Sequence, residues 1–371
     1  MSQDIGVAVL GTGFGQKVHI PGFNEHPRTR LMAVYHRNID KATAIASEQQ
    51  IPYACDACED ILSMSEVQGV SLATPPFLHY EMAKQVLQAG KHLILEKPMT
   101  LNVEQAQELY NIAQNTGAVV TPDFEYRCVP AWQMLAQLLE SGYVGQKRFI
   151  QIDWVMASRA DANRAWNWYA LREKGGGALG ALGSHSFDYI PWLFGPVQRL
   201  QAQLKTTVTS RPDPETGDRK TVDSDDVGFI NLEMADGTPC QFTLSSVAYQ
   251  GRGHWVEIYG DRGTLVLGSS NQKDYVHGFH LYGSQDGAPL EEIPISGEYE
   301  FSYTYQDGRL APFIRIVDRW VQGIESGQPQ LPTLREGVYS QLLMDLTHKS
   351  SDSQTMVEVP TLESVLGNIP S

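Results

Sequence analysis

Ile5-Gly6-Val7-Ala8-Val9-Leu10-Gly11-Thr12-Gly13-Phe14-Gly15-Gln16 decides the fold. An apolar run enters a glycine-rich turn, and a segment able to form a helix follows. In a dinucleotide-binding unit the first glycine makes the tight turn. The second lets a pyrophosphate approach the backbone, and the helix N-terminus offers unpaired N–H groups. The third fingerprint place holds Gln16 rather than Gly or Ala, and Gly15 comes one place early. That departure is expected to affect helix packing, not phosphate approach. Gly11, Thr12, Gly13, Phe14, Gly15 and Gln16 are therefore the expected phosphate loop.

Outward from this loop, Gly6–Leu10, Leu31–Tyr35, Val70–Ala73, His92–Leu95 and Ala118–Thr121 read as strands. Lys41–Gln49, His79–Ala89 and Val103–Asn115 read as the helices between them. Such alternation predicts right-handed βαβ units and a doubly wound parallel sheet. After Asp123 the pattern changes. A helix at Pro130–Ser141 precedes strand-like runs at Phe149–Val155, Arg199–Ser210, Asp226–Met234, Gln241–Ala248, Trp255–Tyr259 and Thr264–Leu267. Gly175–Asp188 opens another helix, and Ala311–Glu325 and Leu334–His348 close the chain. Thr209–Asp225 reads as an exposed loop. The division expected is 1–122 for a Rossmann domain and 123–371 for a second α+β domain, whose closing helices can pack back on the first.

The 371 residues carry a net charge of −15, which argues against a nucleic-acid partner and against an anionic membrane surface. No apolar run reaches transmembrane length, and four cysteines are too few for a disulfide scaffold. The expectation is a cytoplasmic protein. Cys55-Asp56-Ala57-Cys58 lacks a second cysteine pair, and His277-Gly278-Phe279-His280 lacks a third ligand, so no metal is expected.

At the end of the second strand, Tyr35-His36-Arg37-Asn38 contains no carboxylate to hold a ribose 2′-hydroxyl. Arg37, beside His36, can pair with a 2′-phosphate, which favours NADP over NAD; its other reading is a solvated surface arginine.

Two further motifs narrow the reading. One is Ala73-Thr74-Pro75-Pro76-Phe77-Leu78-His79 with Leu95-Glu96-Lys97-Pro98. The other is Gly175-Gly176-Gly177-Ala178-Leu179 with Gly183-Ser184-His185-Ser186-Phe187-Asp188. With the N-terminal loop, this ordered set resembles the glucose–fructose oxidoreductase/inositol dehydrogenase family over nearly the whole chain. The resemblance implies a Rossmann domain and a second domain built on a large, open, mostly antiparallel sheet, whose outer face mediates homodimers or homotetramers. It places the nicotinamide in the cleft between domains near Glu96-Lys97-Pro98, and adds Thr74, Pro75, Pro76, His79, Glu96 and Lys97 to the cofactor residues.

Lys97 follows the fifth strand at the edge where open α/β sheets bind ligands, and can stabilise a developing alkoxide. His185 suits proton transfer near neutral pH. Both are the expected catalytic residues. The familiar Asp four places before the histidine is here Ala181, so the usual Lys–Asp–His set is incomplete. Arg127, Trp166, Trp168, His185 and Asp188 are expected on the substrate side; Tyr126, Tyr303 and Tyr305 are further candidates there. The activity expected is hydride transfer between a nicotinamide and a secondary alcohol or ketone of a sugar, polyol or related small molecule. The alternatives are a non-catalytic NAD(P) sensor on the same fold and a cofactor-assisted glycosidase.

Overall fold

The computed structural model describes residues 4–271, 273–274 and 277–367. The chain forms two compact units: 1–125 with 304–338, and 126–303 with 339–371. The first crossing falls three residues after the expected boundary. The chain also returns to the first unit before it ends, so one cut does not divide it.

The first unit holds six parallel strands: β1 (Ile5–Leu10), β2 (Thr29–Tyr35), β3 (Tyr53–Cys55), β4 (Gly69–Leu72), β5 (His92–Leu95) and β6 (Val120–Pro122), in the order β3-β2-β1-β4-β5-β6. This is the doubly wound arrangement, with its strand order reversing between β1 and β4. Val7, Ala8, Val9 and Leu10 are all fully buried, because helices cover both faces of a parallel sheet. The helices are α1 (Ile20–Glu25), α2 (Ile39–Gln49), α3 (Cys58–Ser63), α4 (His79–Gln88) and α5 (Val103–Thr116). The short β3 and α3 are absent from the sequence reading, since three edge residues carry no readable alternation. Cys55 and Cys58 are buried free thiols; burial raises both pKa values, Cys58 to about 11, the opposite of a reactive pair.

The second unit holds α6 (Pro130–Glu140), α7 (Ser184–Phe194) and a nine-stranded sheet. Its strands are β7 (Lys147–Val155), β8 (Val197–Lys205), β11 (Val227–Met234), β12 (Pro239–Ser245), β13 (Gly253–Gly260), β14 (Gly263–Ser269), β15 (His280–Gln285), β16 (Glu291–Glu292) and β17 (Val357–Glu358). All neighbours are antiparallel except β7 and β12. A separate ribbon, β9 (Ser210–Pro212) with β10 (Arg219–Thr221), corrects two expectations. Arg199–Ser210 is not one strand: the Asp226 carboxylate accepts from the N–H groups of Thr207 and Val208 and turns the chain off the sheet after Lys205. Thr209–Asp225 is not an exposed loop either, since Arg211, Asp213, Ser224 and Asp225 are buried.

Period-two alternation puts Ile150, Ile152, Trp154, Phe242, Leu244, Ile230 and Val256 in the core. Phe187 of α7 meets Phe242 edge-on at 6.1 Å. The opposite face mixes Gln151, Asp153, Asn231 and Glu257 with the exposed rings of Phe149 and Phe229, and Phe149 stacks on Tyr259 at 4.4 Å. That face thus carries polar side chains and exposed aromatic rings side by side.

In the first unit α8 (Leu310–Ser326) packs Phe313 and Trp320 on Phe23, at 5.7 and 6.3 Å. Gly22 and Gly69 make room for it: a Cβ would lie 2.4 Å from the Phe313 ring and 2.3 Å from that of Trp320. Helix α9 (Leu334–Ser353) runs through the third crossing point, between residues 338 and 339.

Candidate active site

The carboxyl ends of β1, β4 and β5 carry Gly11, Thr74 and Glu96-Lys97 in the first unit. Gly11 has φ +108°, and a Cβ there would lie 2.4 Å from the Ala73 carbonyl oxygen, so the turn requires glycine. Above Gly13 a Cβ would meet nothing within 4 Å. That bare, exposed backbone fits the close approach of a pyrophosphate. Gly15 packs against Val9 and Ala73, where a Cβ would lie 3.1 and 3.4 Å from their side chains. It therefore does the close-packing work expected of the third fingerprint position, and Gln16 is half-exposed. A π-helical turn, Gly15–His19, accommodates this one-residue shift before α1 begins. Arg309 lies over the Phe14 ring at 5.0 Å and is paired with Asp307.

Past β2, Arg37 is exposed and in no ion pair among the described residues. His36 accepts from the Asn38 N–H at 3.0 Å, and Asn38 caps α2 through Lys41 N. Thr74 and Pro75 are half-buried and Pro76 buried. Both nitrogens of buried His79 face backbone carbonyls, Pro98 at 2.9 Å and Thr74 at 2.7 Å. The ring thus ties two loops together, and no nitrogen is left over to reach a cofactor.

Beneath this edge lies a group that the sequence did not disclose. His19, fully buried, donates through Nε2 to Glu96 Oε1 at 3.0 Å, stands 3.7 Å from Asp123 Oδ2, and meets Ser71 Oγ through Nδ1 at 2.7 Å. Its ring stacks on Phe313 at 4.3 Å. Burial disfavours charge on the ring, but hydrogen bonds to Asp123 and Glu96 overcome this and raise its pKa to about 9. Burial likewise opposes ionisation of Glu96, yet His19 holds it below the usual carboxylate range. Burial and the Glu96 charge push Asp123 up, and burial with the Asp123 charge pushes Glu125 well above the usual carboxylate range. The second oxygen of Glu96 accepts from the Lys97 N–H at 3.1 Å. His19 therefore fixes Glu96, and Glu96 fixes the backbone of Lys97. A histidine four places after Gly15 was the available signal, but its partner is 77 positions away.

In the second unit, His185 is the second residue of α7, after a π-helical turn at Leu179–Gly183. It is 4% exposed, edge-on to Tyr126 at 5.0 Å and tilted on Trp154 at 5.9 Å. Behind it His254 stacks on Trp154 at 4.0 Å and meets Tyr189 Oη through Nε2 at 2.9 Å; burial lowers its pKa to about 3. Half-exposed Ala181 lies within the π turn.

Asp225, also missed in the sequence, anchors the start of this helix. Its Oδ2 accepts from Leu179 N at 2.7 Å and its carbonyl from Ala178 N at 2.8 Å. Gly177, at φ +104°, would place a Cβ 2.5 Å from Asp225 Oδ1, which explains the glycine run. Arg127 and Asp188 are both buried and bound to each other by three hydrogen bonds of 2.8–2.9 Å, with Arg127 over Trp192 at 5.2 Å. Half-buried Trp166 donates to the Thr221 carbonyl at 3.0 Å, and Trp168 lies 5.9 Å from Tyr169. Tyr303 is 68% exposed in the second unit, while Tyr305 donates to Glu25 in the first.

No helix among the described residues is long and apolar enough to cross a membrane. "Oxidoreductase family, NAD-binding Rossmann fold" matches residues 5–124, and "Oxidoreductase family, C-terminal alpha/beta domain" matches residues 136–359. The chain is 52% identical to "Uncharacterized oxidoreductase sll0816" of Synechocystis sp., over 98% of this chain and 99% of that one. It is 24% identical to levoglucosan dehydrogenase of Pseudarthrobacter phenanthrenivorans, over 98% of this chain and all of the relative. A solved levoglucosan dehydrogenase, in complex with NADH and levoglucosan, shares the fold with a TM-score of 0.87 at 22% identity, covering 97% of this chain and 100% of that one. Matched in both halves, and along its length by a relative sharing half its residues, the protein belongs to the Gfo/Idh/MocA oxidoreductase family, with an NAD-binding Rossmann fold.

Proposed function

We propose that the protein is a dehydrogenase or reductase that interconverts a secondary alcohol and a ketone on a sugar, polyol or related small molecule, with NADP as cofactor. The observation that carries this reading is the bare backbone over Gly13 at the carboxyl end of β1, in a chain of an oxidoreductase family. Gly11, Thr12, Gly13, Phe14, Gly15 and Gln16 hold the cofactor phosphates in this proposal, and Thr74, Pro75, Pro76 and Glu96 line its path. His79 contributes by holding the Thr74 loop. Bound nicotinamide supplies a hydride donor or acceptor. Arg37, with His36 beside it and no carboxylate at positions 35–38, supports NADP; NAD is the alternative.

Lys97 presents its ammonium to the reacting oxygen and stabilises the developing alkoxide. His185 takes or returns the proton. Glu96 and His19 keep the Lys97 backbone in place. Arg127 and Asp188 shape the substrate side as a neutralised pair, and Trp166 and Trp168 offer apolar faces. A homodimer or homotetramer formed through the sheet face bearing Phe149, Tyr259 and Phe229 completes the proposal; a monomeric mass by light scattering contradicts that part. Four buried free thiols support a cytoplasmic location, which cell fractionation tests. Ala181, in place of the family's usual Asp, favours one second reading, a cofactor-binding sensor without turnover.

The deciding experiment is a fluorescence-monitored NADPH and NADH turnover screen over sugars, polyols, lactones and diols. Lys97→Met and His185→Ala should each lower kcat by about 10²–10⁴-fold while cofactor affinity by calorimetry changes little. Near wild-type turnover in both variants overturns the catalytic assignment. Tight cofactor binding with no turnover anywhere on the panel selects the sensor.

A further inference from the structure

In a chain of net charge −15, four arginines of the second unit gather on one short segment, and among the described residues none of them is in an ion pair. Arg211 donates to the carbonyls of Asp161 and Arg159, both at 2.7 Å. Arg219 donates to Ala162 O at 3.2 Å and to Ser210 O at 2.6 Å, and Arg164 donates to Ser158 O at 3.1 Å. The guanidinium of half-buried Arg159 lies 3.9 Å from the centre of the Tyr169 ring.

The carboxylates whose charge reaches Arg211 are Asp226 and Asp161. Asp226 is engaged by the N–H groups of Thr207 and Val208, and Asp161 Oδ1 by that of Asn163. Burial lowers the pKa of Arg159, and the charges of Arg164 and Arg211 lower it further, against the help of Tyr169. Holding like charges together costs free energy unless an anion offsets them. The planar fork of an arginine matches the oxygens of a phosphate or carboxylate. Tyr169, under Arg159, also packs at the glycine run: a Cβ on Gly176 would lie 2.2 Å from the Tyr169 carbonyl oxygen. The cluster therefore borders the segment that leads into the helix of His185.

We infer that Arg159 and Arg164, backed by Arg211, form a binding site for a small oxyanion, a phosphate or carboxylate, carried by a sugar-sized molecule. The inference deepens the proposed function by giving its substrate a negative charge, but its test needs no turnover. Inorganic phosphate is titrated calorimetrically into protein saturated with NADPH, and in parallel with NADH, with chloride at matched ionic strength as the control. Phosphate should bind, and Arg159→Gln and Arg164→Gln should each weaken it by roughly tenfold or more. Arg148→Gln, which removes an exposed charge elsewhere in the same unit, should leave it unchanged. Arg164 is exposed, so its variant decides the matter if Arg159→Gln does not fold. A hexose phosphate binding more tightly than inorganic phosphate assigns the anion to a sugar ligand; equal affinity assigns the site to free phosphate. No binding beyond the chloride control, or binding equally strong in both variants, overturns the inference.

Discussion

Breaking the Arg127–Asp188 pair should be among the most damaging single changes in the second unit. Three hydrogen bonds of 2.8–2.9 Å join the two groups, and their side chains are 6% and 1% exposed. Arg127→Met leaves the Asp188 carboxylate buried without its counter-charge, and Asp188→Leu strands the guanidinium. Removing one partner of such a pair costs about 3–5 kcal/mol. Replacing both should cost much less than the sum, because no uncompensated charge remains and Met can pack on Trp192. Urea unfolding followed by tryptophan fluorescence is the assay, since six of the seven tryptophans belong to this unit and only Trp320 to the other. Losses below about 1 kcal/mol in both single variants, as for an exposed pair, refute the reasoning. So does strict additivity in the double variant.

Arg37→Ala should weaken NADP binding by roughly 10–150-fold, the range of one charge-assisted hydrogen bond, and leave NAD nearly unchanged; a wild-type preference for NAD in calorimetry overturns the assignment. The acid limb of stability should carry the signature of His254. Its folded pKa, about 3, lies below the ordinary 6.5, so between those values the unfolded chain binds the extra proton and stability falls as pH falls. From pH 6 to pH 4 this group should account for roughly 2 kcal/mol. His254→Gln should flatten the limb by that amount, and an unchanged pH slope refutes the assignment.

The N-terminal half was legible because its signals are local. Parallel strands buried on both faces read as apolar runs, and Gly11 and Gly13 announce a turn that only glycine permits. The same locality explains Lys97, placed by the strand before it, and His185, placed by the glycine run before it. What the sequence could not show was which distant groups would meet. His19, Glu96 and Asp123 come together because the π turn after β1 meets the ends of β5 and β6 at one sheet edge. Arg127 and Asp188, read separately as substrate residues, turn out to neutralise each other across 61 positions. Asp225 sat in a stretch that looked like exposed loop, yet it anchors the start of the His185 helix. Gly15 looked like a misplaced fingerprint glycine until the π turn and the contacts with Val9 and Ala73 gave it a role. The sequence alone determined the repeating pattern of strands and helices and the phosphate turn, since those depend on neighbours along the chain. The tertiary structure alone decided the charge pairs and the arginine cluster on Ser158–Arg164. Burial makes an unpaired charge so costly that its partner is found wherever the fold brings one, at any distance in sequence.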